Sequence, residues 1–113
     1  MNDCLFCKIV AGQIPAAKVY EDDLVLAFND IHPAAPTHML IIPKEHFPSL
    51  QDIPQGKLPV IASLFAAAQK LAETTGIAKT GYRTLINTGP DSGQVVFHVH
   101  LHLLGGRKLG KLG

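Results

Sequence analysis

The alternation of apolar and polar positions along the chain predicts several short strands. Residues 18–28, "KVYEDDLVLAF", are typical of two strands joined by a tight turn at Asp22 and Asp23. Residues 38–43, "HMLIIP", form an almost unbroken apolar run, which predicts a strand that is buried on both faces. Two further strands are predicted in "YRTLINTG" and "VVFHVHLHLL", joined as a hairpin through the loop 90–93.

Two helices are predicted beside these strands. Asp3 is a suitable N-cap for a short helix that runs to about Val10. Apolar residues recur at helical spacing between about Gln55 and Thr75, and this predicts one long helix. About five strands with one long and one short helix indicate an α+β fold dominated by an antiparallel sheet. The 113 residues fit a single domain, 1–113.

The composition indicates a compact soluble protein, since 47% of the residues are hydrophobic and 17% are charged. No apolar run approaches the roughly 20 residues that a membrane-spanning helix needs, and the N-terminus lacks the pattern of a secretory signal. We therefore expect a cytoplasmic protein with no membrane partner. A net charge of +1 gives no strong attraction for nucleic acid polymers, which leaves small ligands as the expected partners.

Three of the six histidines lie within the five-residue stretch "HVHLH". Because alternate side chains of a strand share a face, His98, His100 and His102 are expected to point to one side of the sheet. The opposite face is expected to join the core through Phe97, Val99, Leu101 and Leu103. The outer two α-carbons would be about 13 Å apart, so a metal site built from all three rings is disfavoured, although two neighbouring rings could share an ion.

The surroundings of this histidine row favour nucleophilic chemistry. No Asp or Glu follows Asp91, so the row has no carboxylate nearby in sequence. Adjacent imidazoles disfavour each other's protonation, and at least one ring is therefore expected to be neutral near pH 7. A neutral imidazole offers a lone pair to an electrophile such as phosphorus, and glycine-containing turns at 88–89 and 92–93 could hold phosphate oxygens. The alternative is that the histidines are ordinary packing residues.

Residues 98–104, "HVHLHLL", match the signature His-φ-His-φ-His-φ-φ, in which φ is apolar, and so resemble the histidine triad (HIT) family. The segments "KIVAGQIPAAKVYEDDLVLAFNDIHPAAPTHMLIIPKEH" and "NTGPDSGQVVFHVHLHLLGGR" are similar to the nucleoside phosphoramidase branch of that family, the histidine triad nucleotide-binding proteins. The ending "LLGGR" also resembles that branch rather than the dinucleoside polyphosphate hydrolases. The resemblance implies a HIT-like fold, a homodimer with joined sheets and a purine nucleotide ligand.

The resemblance also implies roles for individual residues. His100 would attack the α-phosphorus and carry a nucleotidyl intermediate, which water then hydrolyses without a catalytic metal. His102 and His38 would lie near the phosphate and the leaving group and would handle protons. Asp30 would accept hydrogen bonds from the ribose hydroxyls.

Two further groups of residues match binding positions of that branch. The first group would line the phosphate site and comprises Asn87, Gly93 and Gln94. The second group would form the apolar walls of a purine pocket and comprises Phe6, Ile9, Phe28 and Ile31. Ordinary core packing is the alternative for each apolar residue, and apolar walls do not distinguish adenine from guanine.

The sequence departs from the better-known members of that branch at two places. Val95 stands where they carry a serine that can hydrogen-bond the phosphate or the departing nitrogen. Valine cannot form this bond, so we expect an altered rate or leaving-group preference. The sequence ends in "KLGKLG" soon after Arg107, and no longer tail is therefore expected to reach across a dimer.

Cys4 and Cys7 form a Cys-x-x-Cys pair, which suggests a metal or redox site, with two core thiols as the alternative. Some bacterial members of the family with this motif resemble zinc proteins, which implies a structural zinc site formed by Cys4, Cys7, His46 and His98. His98 would then leave the row and tie the N-terminal helix to the catalytic strand. Reduced thiols with His46 in solvent are the alternative.

The predicted function is hydrolysis of the P–N bond of purine nucleoside 5′-phosphoramidates, of the adenosine 5′-phosphoramidate type, to a nucleoside monophosphate and an amine. No cofactor is expected to be needed for catalysis. A non-catalytic nucleotide-binding regulatory module is one alternative, which Val95 favours. A dinucleoside polyphosphate hydrolase is another. The third is a zinc-dependent hydrolase with two histidines of the row on the metal, which the lack of acidic residues near the row disfavours.

Overall fold

A computed structural model of the protein describes residues 3–112. Five strands form one antiparallel sheet in the order β1-β2-β3-β5-β4. In chain order the strands are β1 (Lys18–Glu21), β2 (Val25–Asn29), β3 (Thr37–Pro43), β4 (Tyr82–Leu85) and β5 (Leu101–Gly105). The predicted α+β class and the antiparallel sheet are confirmed, as is the turn at Asp22 and Asp23 between the first two strands.

The short N-terminal helix, α1 (Leu5–Val10), lies where the sequence predicts it, but its cap differs. Cys4, and not Asp3, is the N-cap residue, and its Sγ accepts a hydrogen bond from the backbone N–H of Cys7 at 3.4 Å. A helix cap must sit one residue before the first helical residue, which places Cys4 there. The two sulfur atoms are therefore brought to the same end of the helix.

The long helix, α2 (Pro59–Thr75), begins later than the predicted start near Gln55. Pro59 occupies its first turn, where the missing N–H of proline has no cost, and residues 55–57 form a separate 3₁₀ turn. Gly76 ends the helix in a left-handed conformation, with φ of 86°. A third helix, α3 (Ile77–Thr80), was not predicted, because a single turn carries no periodic signal.

The central strand β3 is buried on both faces, as its apolar run predicts. One face packs with α2 in a cluster that includes Met39 and Ile41. The other face packs with α1 in a smaller cluster that includes Leu40 and Ile42. The side of the sheet that carries α1 is the side on which the candidate site lies.

The predicted hairpin between the last two strands is wrong in its extent. β5 begins only at Leu101, so residues 86–100 connect the strands, although the strands themselves pair antiparallel. The backbone N–H of Val99 donates to the carbonyl of Phe47 at 2.8 Å, and not to a neighbouring strand. Phe97 is 53% exposed and is not a core residue, whereas Val99, Leu101 and Leu103 are buried as expected. Of the histidine row, only His102 therefore lies on β5, and His98 and His100 precede the strand.

Within residues 3–112 the structure has no helix that combines the length and the apolar character needed to cross a membrane.

Candidate active site

His100 lies immediately before β5 and is buried, with only 6% of its surface exposed. Its Nδ1 lies 2.7 Å from the carbonyl oxygen of His98. A carbonyl oxygen can only accept, so Nδ1 carries the hydrogen and Nε2 of the neutral ring carries the lone pair. The ring of Phe6 stands edge-on to His100, with centroids 5.1 Å apart. The structure thus fixes both the tautomer and the plane of this imidazole.

His38 on β3 and His102 on β5 form a second pair of rings on the same side of the sheet. The backbone N–H of Ala34 donates to Nδ1 of His38 at 3.0 Å, so this nitrogen must be an acceptor and Nε2 must carry the hydrogen. Nε2 of His38 lies 2.9 Å from Nδ1 of His102. His38 therefore donates to His102, which leaves the hydrogen of neutral His102 on Nε2.

Nε2 of His102 is the one buried side-chain nitrogen or oxygen in the described part of the chain for which no hydrogen-bond partner is found. A buried donor without a partner is costly, and native proteins tolerate it mainly where a ligand or water completes the bond. His102 and His100 both line the same cavity. The cavity therefore offers a lone pair from one ring and an N–H from the other.

Asp30 follows β2 and brings a carboxylate to the histidines. Its Oδ2 lies 3.4 Å from Nε2 of His38, and its Oδ1 accepts a hydrogen bond from the backbone N–H of His32 at 2.8 Å. The sequence places no Asp or Glu after Asp91, but the fold brings the carboxylate of Asp30 to the row from a distant segment. The β2–β3 pairing, with Asn29 opposite Met39, is the signal that could have found it, because it carries Asp30 toward His38.

The cavity beside these rings has a volume of about 340 Å³, within the range of about 300–1,000 Å³ that is typical of small-molecule sites. Its lining includes seven of the predicted nucleotide-binding residues, namely Phe6, Ile9, Phe28, Asp30, Ile31, His100 and His102. Ile31 is 86% exposed and so belongs to the rim. The remaining lining residues are largely apolar, which suits a flat heterocycle more than a charged group.

The residues predicted for the phosphate site do not line this cavity and lie on the connection 86–100. Gly93 adopts φ of 91°, in the left-handed region that glycine tolerates best. The carboxamide of Gln94 is buried and engaged by the backbone: Oε1 accepts from the N–H of Gly89, and Nε2 donates to the carbonyls of Pro48 and Val96. Asn87 is partly buried just beyond β4. The side chain of Gln94 therefore holds the connection in shape.

Burial dominates the acid–base behaviour of the row. Desolvation lowers the pKa of His98 and that of His102, each to about 4, and it also lowers the pKa of His100. Neighbouring imidazoles add to the effect at His98 and His102, whereas the charge of Asp30 opposes it at His100 and His102. The expected neutral ring near pH 7 is thus present at each of these positions.

The lowered pKa of His102 predicts that the folded protein loses stability in mild acid. Above the ordinary value of 6.5, both folded and unfolded forms carry a neutral ring, and the stability is fully present. As the pH falls toward the folded pKa of about 4, His102 binds a proton in the unfolded chain but stays neutral in the native protein, so the free energy of unfolding decreases. We expect a loss of about 2 kcal/mol between about pH 7 and about pH 5.

Urea unfolding of the wild type and of His102→Asn at both pH values measures this effect. The variant lacks the titrating ring, so its pH dependence should be smaller by the same amount. Equal slopes for the two proteins would show that His102 is not the source.

A second cluster lies between α1, the turn after β3 and the start of the histidine row. It contains Cys4, Cys7, His46 and His98, whose ligand atoms all lie within 4.8 Å of one another. Sγ of Cys7 is 3.2 Å from Nδ1 of His46, and Sγ of Cys4 is 3.3 Å from Nδ1 of His98. The two Nδ1 atoms are 3.2 Å apart.

These separations fit a tetrahedral zinc ion. Ideal zinc bonds of about 2.3 Å to sulfur and about 2.05 Å to nitrogen place two nitrogens about 3.3 Å apart and a sulfur and a nitrogen about 3.5 Å apart. Nε2 of His98 lies 2.8 Å from the carbonyl oxygen of Pro43 and so carries the hydrogen, which turns the Nδ1 lone pair toward the cysteines. The role of Pro43 was not predicted, because no sequence pattern shows where a backbone carbonyl points.

The chain matches known proteins over most of its length. The family model described as HIT domain matches residues 11–109. The purine nucleoside phosphoramidase of Escherichia coli (strain K12) is 46% identical over 111 residues, which cover 98% of this chain and 93% of that protein. Protein HitA of Neisseria gonorrhoeae is 46% identical over 105 residues, which cover 93% of this chain and 97% of that protein.

Solved structures agree with this match. A histidine triad protein from Clostridium difficile has a TM-score of 0.96 and 47% identity, covering 100% of this chain and 98% of that one. A zinc-bound histidine triad family protein from Mycobacterium smegmatis has a TM-score of 0.81 and 37% identity, covering 98% of this chain and 80% of that one. Since both the family model and these relatives span nearly the whole chain, the protein belongs to the HIT domain family.

Proposed function

We propose that the protein hydrolyses the P–N bond of purine nucleoside 5′-phosphoramidates and releases a nucleoside monophosphate and an amine. The observation that carries this proposal is the hydrogen bond from Nδ1 of His100 to the carbonyl of His98, which leaves an Nε2 lone pair on a buried, neutral ring. The ring borders a cavity of suitable size. The 46% identity to a purine nucleoside phosphoramidase supports the reaction class.

The reaction runs in two displacements at phosphorus. Nε2 of His100 attacks the α-phosphorus. As its bond to phosphorus forms, the bond between phosphorus and the amine nitrogen of the substrate breaks. The departing nitrogen takes the proton carried by Nε2 of His102, and a proton from solvent replaces it, so that a neutral amine leaves. Water then attacks the phosphorus and releases one proton to solvent, and the bond from phosphorus to Nε2 of His100 breaks with its electron pair returning to the ring.

The cavity binds the nucleoside in this proposal. The rings of Phe6 and Phe28, whose centroids are 5.5 Å apart, and the side chain of Ile9 offer an apolar surface to the purine. The carboxylate of Asp30 lies at the same cavity and has lone pairs left to accept bonds from the ribose hydroxyls.

The connection 86–100 binds the phosphate in this proposal. Asn87 and the backbone at Gly93 provide the donors, and the engaged carboxamide of Gln94 holds that backbone in position. Val95 is 82% exposed at the mouth of the cavity, where it offers the departing nitrogen no hydrogen bond.

We further propose that Cys4, Cys7, His46 and His98 hold a structural zinc ion, which stiffens the base on which His100 stands. Four protein ligands leave zinc no open position, so it supplies stability and no Lewis acid chemistry. A Cys-x-x-Cys pair that serves as a metal site fits a cytoplasmic location.

We also propose a homodimer. β4 is an edge strand of the sheet, and Tyr82 on β4 and Phe65 on α2 are each 40% exposed. An open sheet edge that carries an exposed aromatic side chain, as β4 carries Tyr82, is suited to pairing with a second copy.

Turnover of adenosine 5′-phosphoramidate by the purified protein in EDTA tests the proposed reaction. We expect steady AMP release, with slower cleavage of diadenosine polyphosphates measured in parallel. Faster cleavage of the diadenosine compounds would instead assign a dinucleoside polyphosphate hydrolase. AMP binding without turnover of either substrate would favour a nucleotide-binding regulatory module, the second candidate, which the exposed Val95 supports.

A further inference from the structure

The segment that follows β5 packs against the loop 31–36, whose first residue, Ile31, lies at the rim of the cavity. Gly106 adopts φ of 96°, and a Cβ added there would lie only 2.9 Å from Cβ of Pro36. It would also lie 3.4 Å from the backbone nitrogen of Thr37, the first residue of β3. A side chain at position 106 would therefore push the loop away from the end of β5.

Arg107 makes a second contact with the same loop. Its Nη2 donates to the carbonyl oxygen of Ala34 at 2.9 Å, and its Nη1 donates to the carbonyl oxygen of Lys108 at 3.0 Å. The backbone N–H of Ala34 donates to Nδ1 of His38 at 3.0 Å. The backbone of Ala34 thus links the two side chains: its carbonyl accepts from the guanidinium of Arg107, and its N–H donates to the imidazole of His38.

Two groups bear on the tautomer of His38 and through it on His102: the N–H of Ala34 beside Nδ1 and the carboxylate of Asp30, 3.4 Å from Nε2. While the N–H of Ala34 points at Nδ1 of His38, the hydrogen of His38 must stay on Nε2 and is donated to Nδ1 of His102. If the loop moved away, Nδ1 of His38 could carry the hydrogen and Nε2 could accept instead. His102 would then donate through Nδ1 and turn a lone pair, not an N–H, toward the cavity.

We propose that Gly106 and Arg107 are positioning residues for the reaction. They fix the loop 31–36 so that Ala34 imposes one tautomer on His38 and, through it, a hydrogen on Nε2 of His102. The inference rests on the proposed phosphoramidase reaction, because the hydrogen matters where a departing nitrogen needs a proton. The proposal gives a role to two residues of the "GGR" segment, residues 105–107, none of which lines the cavity.

Two substrates with different leaving groups separate positioning from a general loss of structure. Cleavage of adenosine 5′-phosphoramidate needs a proton at the departing nitrogen, whereas the p-nitrophenyl ester of AMP releases a stable phenolate that needs none. For Arg107→Gln we expect kcat to fall about tenfold on the phosphoramidate, with KM within about twofold, and to change less than about threefold on the ester. Gly106→Ala should give the same imbalance, and Arg107→Lys should recover part of the loss.

Matched controls lie in the same part of the chain. Arg83 also donates from a guanidinium to a backbone carbonyl of the C-terminal segment, at Gly110, and forms no hydrogen bond with the described loop 31–36. A Cβ at Gly110 would meet no atom within 4 Å. Arg83→Gln and Gly110→Ala should therefore keep the wild-type rate on both substrates.

Nitrogen-15 NMR of the histidine rings tests the tautomers directly and needs no substrate. The wild type should show hydrogen on Nε2 of both His38 and His102, and Arg107→Gln should show a mixture. Unchanged tautomers in Arg107→Gln, or equal losses on both substrates, would overturn the proposal. A wild type that turns over neither substrate would defeat the proposed reaction, whereas the NMR result would still decide the role of Arg107.

Discussion

Replacing His100 by alanine is expected to abolish AMP release from adenosine 5′-phosphoramidate, with kcat reduced by about 10⁴-fold or more. The ring is the one in the cavity whose tautomer aims a lone pair inward, because its Nδ1–H is committed to the carbonyl of His98. His102 cannot take over, since its Nδ1 faces His38 and its Nε2 carries a hydrogen. The covalent route is therefore closed in the variant.

Rapid acid quench followed by intact-protein mass spectrometry detects the nucleotidyl intermediate that forms in the first displacement. The wild type should carry one nucleotidyl group during turnover, and His100→Ala should carry none. A retained melting temperature and retained AMP binding would show that the variant is folded and that its cavity is intact. A nucleotidyl group on the alanine variant would refute His100 as the nucleophile.

The sequence was sufficient to predict the sheet and the side of it that carries the histidines. The unbroken apolar run of β3 matches a strand that is buried on both faces, and Val99, Leu101 and Leu103 alternate with the histidines with a period of two. The seven cavity residues followed from the family resemblance, and the structure brings them together. Burial patterns of this kind can be read from the sequence because many apolar contacts favour the same arrangement of each strand.

The details that decide the chemistry depend on single backbone groups, which leave no pattern in the sequence. The carbonyls of Pro43 and His98 and the N–H of Ala34 each fix the tautomer of one histidine. The late start of β5 at Leu101 was also not predicted, because the alternation of apolar and polar residues that is typical of a strand already begins at Phe97 in the sequence. Alternation reports which side chains are buried, but it does not report which strand, if any, the backbone pairs with.

Loss of the proposed zinc ion is expected to have the largest effect on stability. Zinc bound only by the folded chain would contribute several kcal/mol, and for a domain of this size each kcal/mol shifts the melting temperature by about 4–8 °C. His46→Asn should therefore lower the zinc content from about one ion per chain toward zero and lower the melting temperature by about 15 °C or more. His46 suits this test because it is exposed, so the substitution leaves little cavity.

His32→Asn is the matched control, because it removes an exposed imidazole that lies outside the cluster by the same substitution. It should keep both the zinc content and the melting temperature. Metal analysis and thermal unfolding of the two variants, each grown with added zinc, provide the comparison, and equal melting temperatures would count against a structural ion.

Chelation of the wild type distinguishes a structural zinc ion from a catalytic one. If His100 attacks without metal, the chelated protein should still release AMP well below its new melting temperature, whereas a zinc-dependent hydrolase would lose turnover in proportion to the zinc removed.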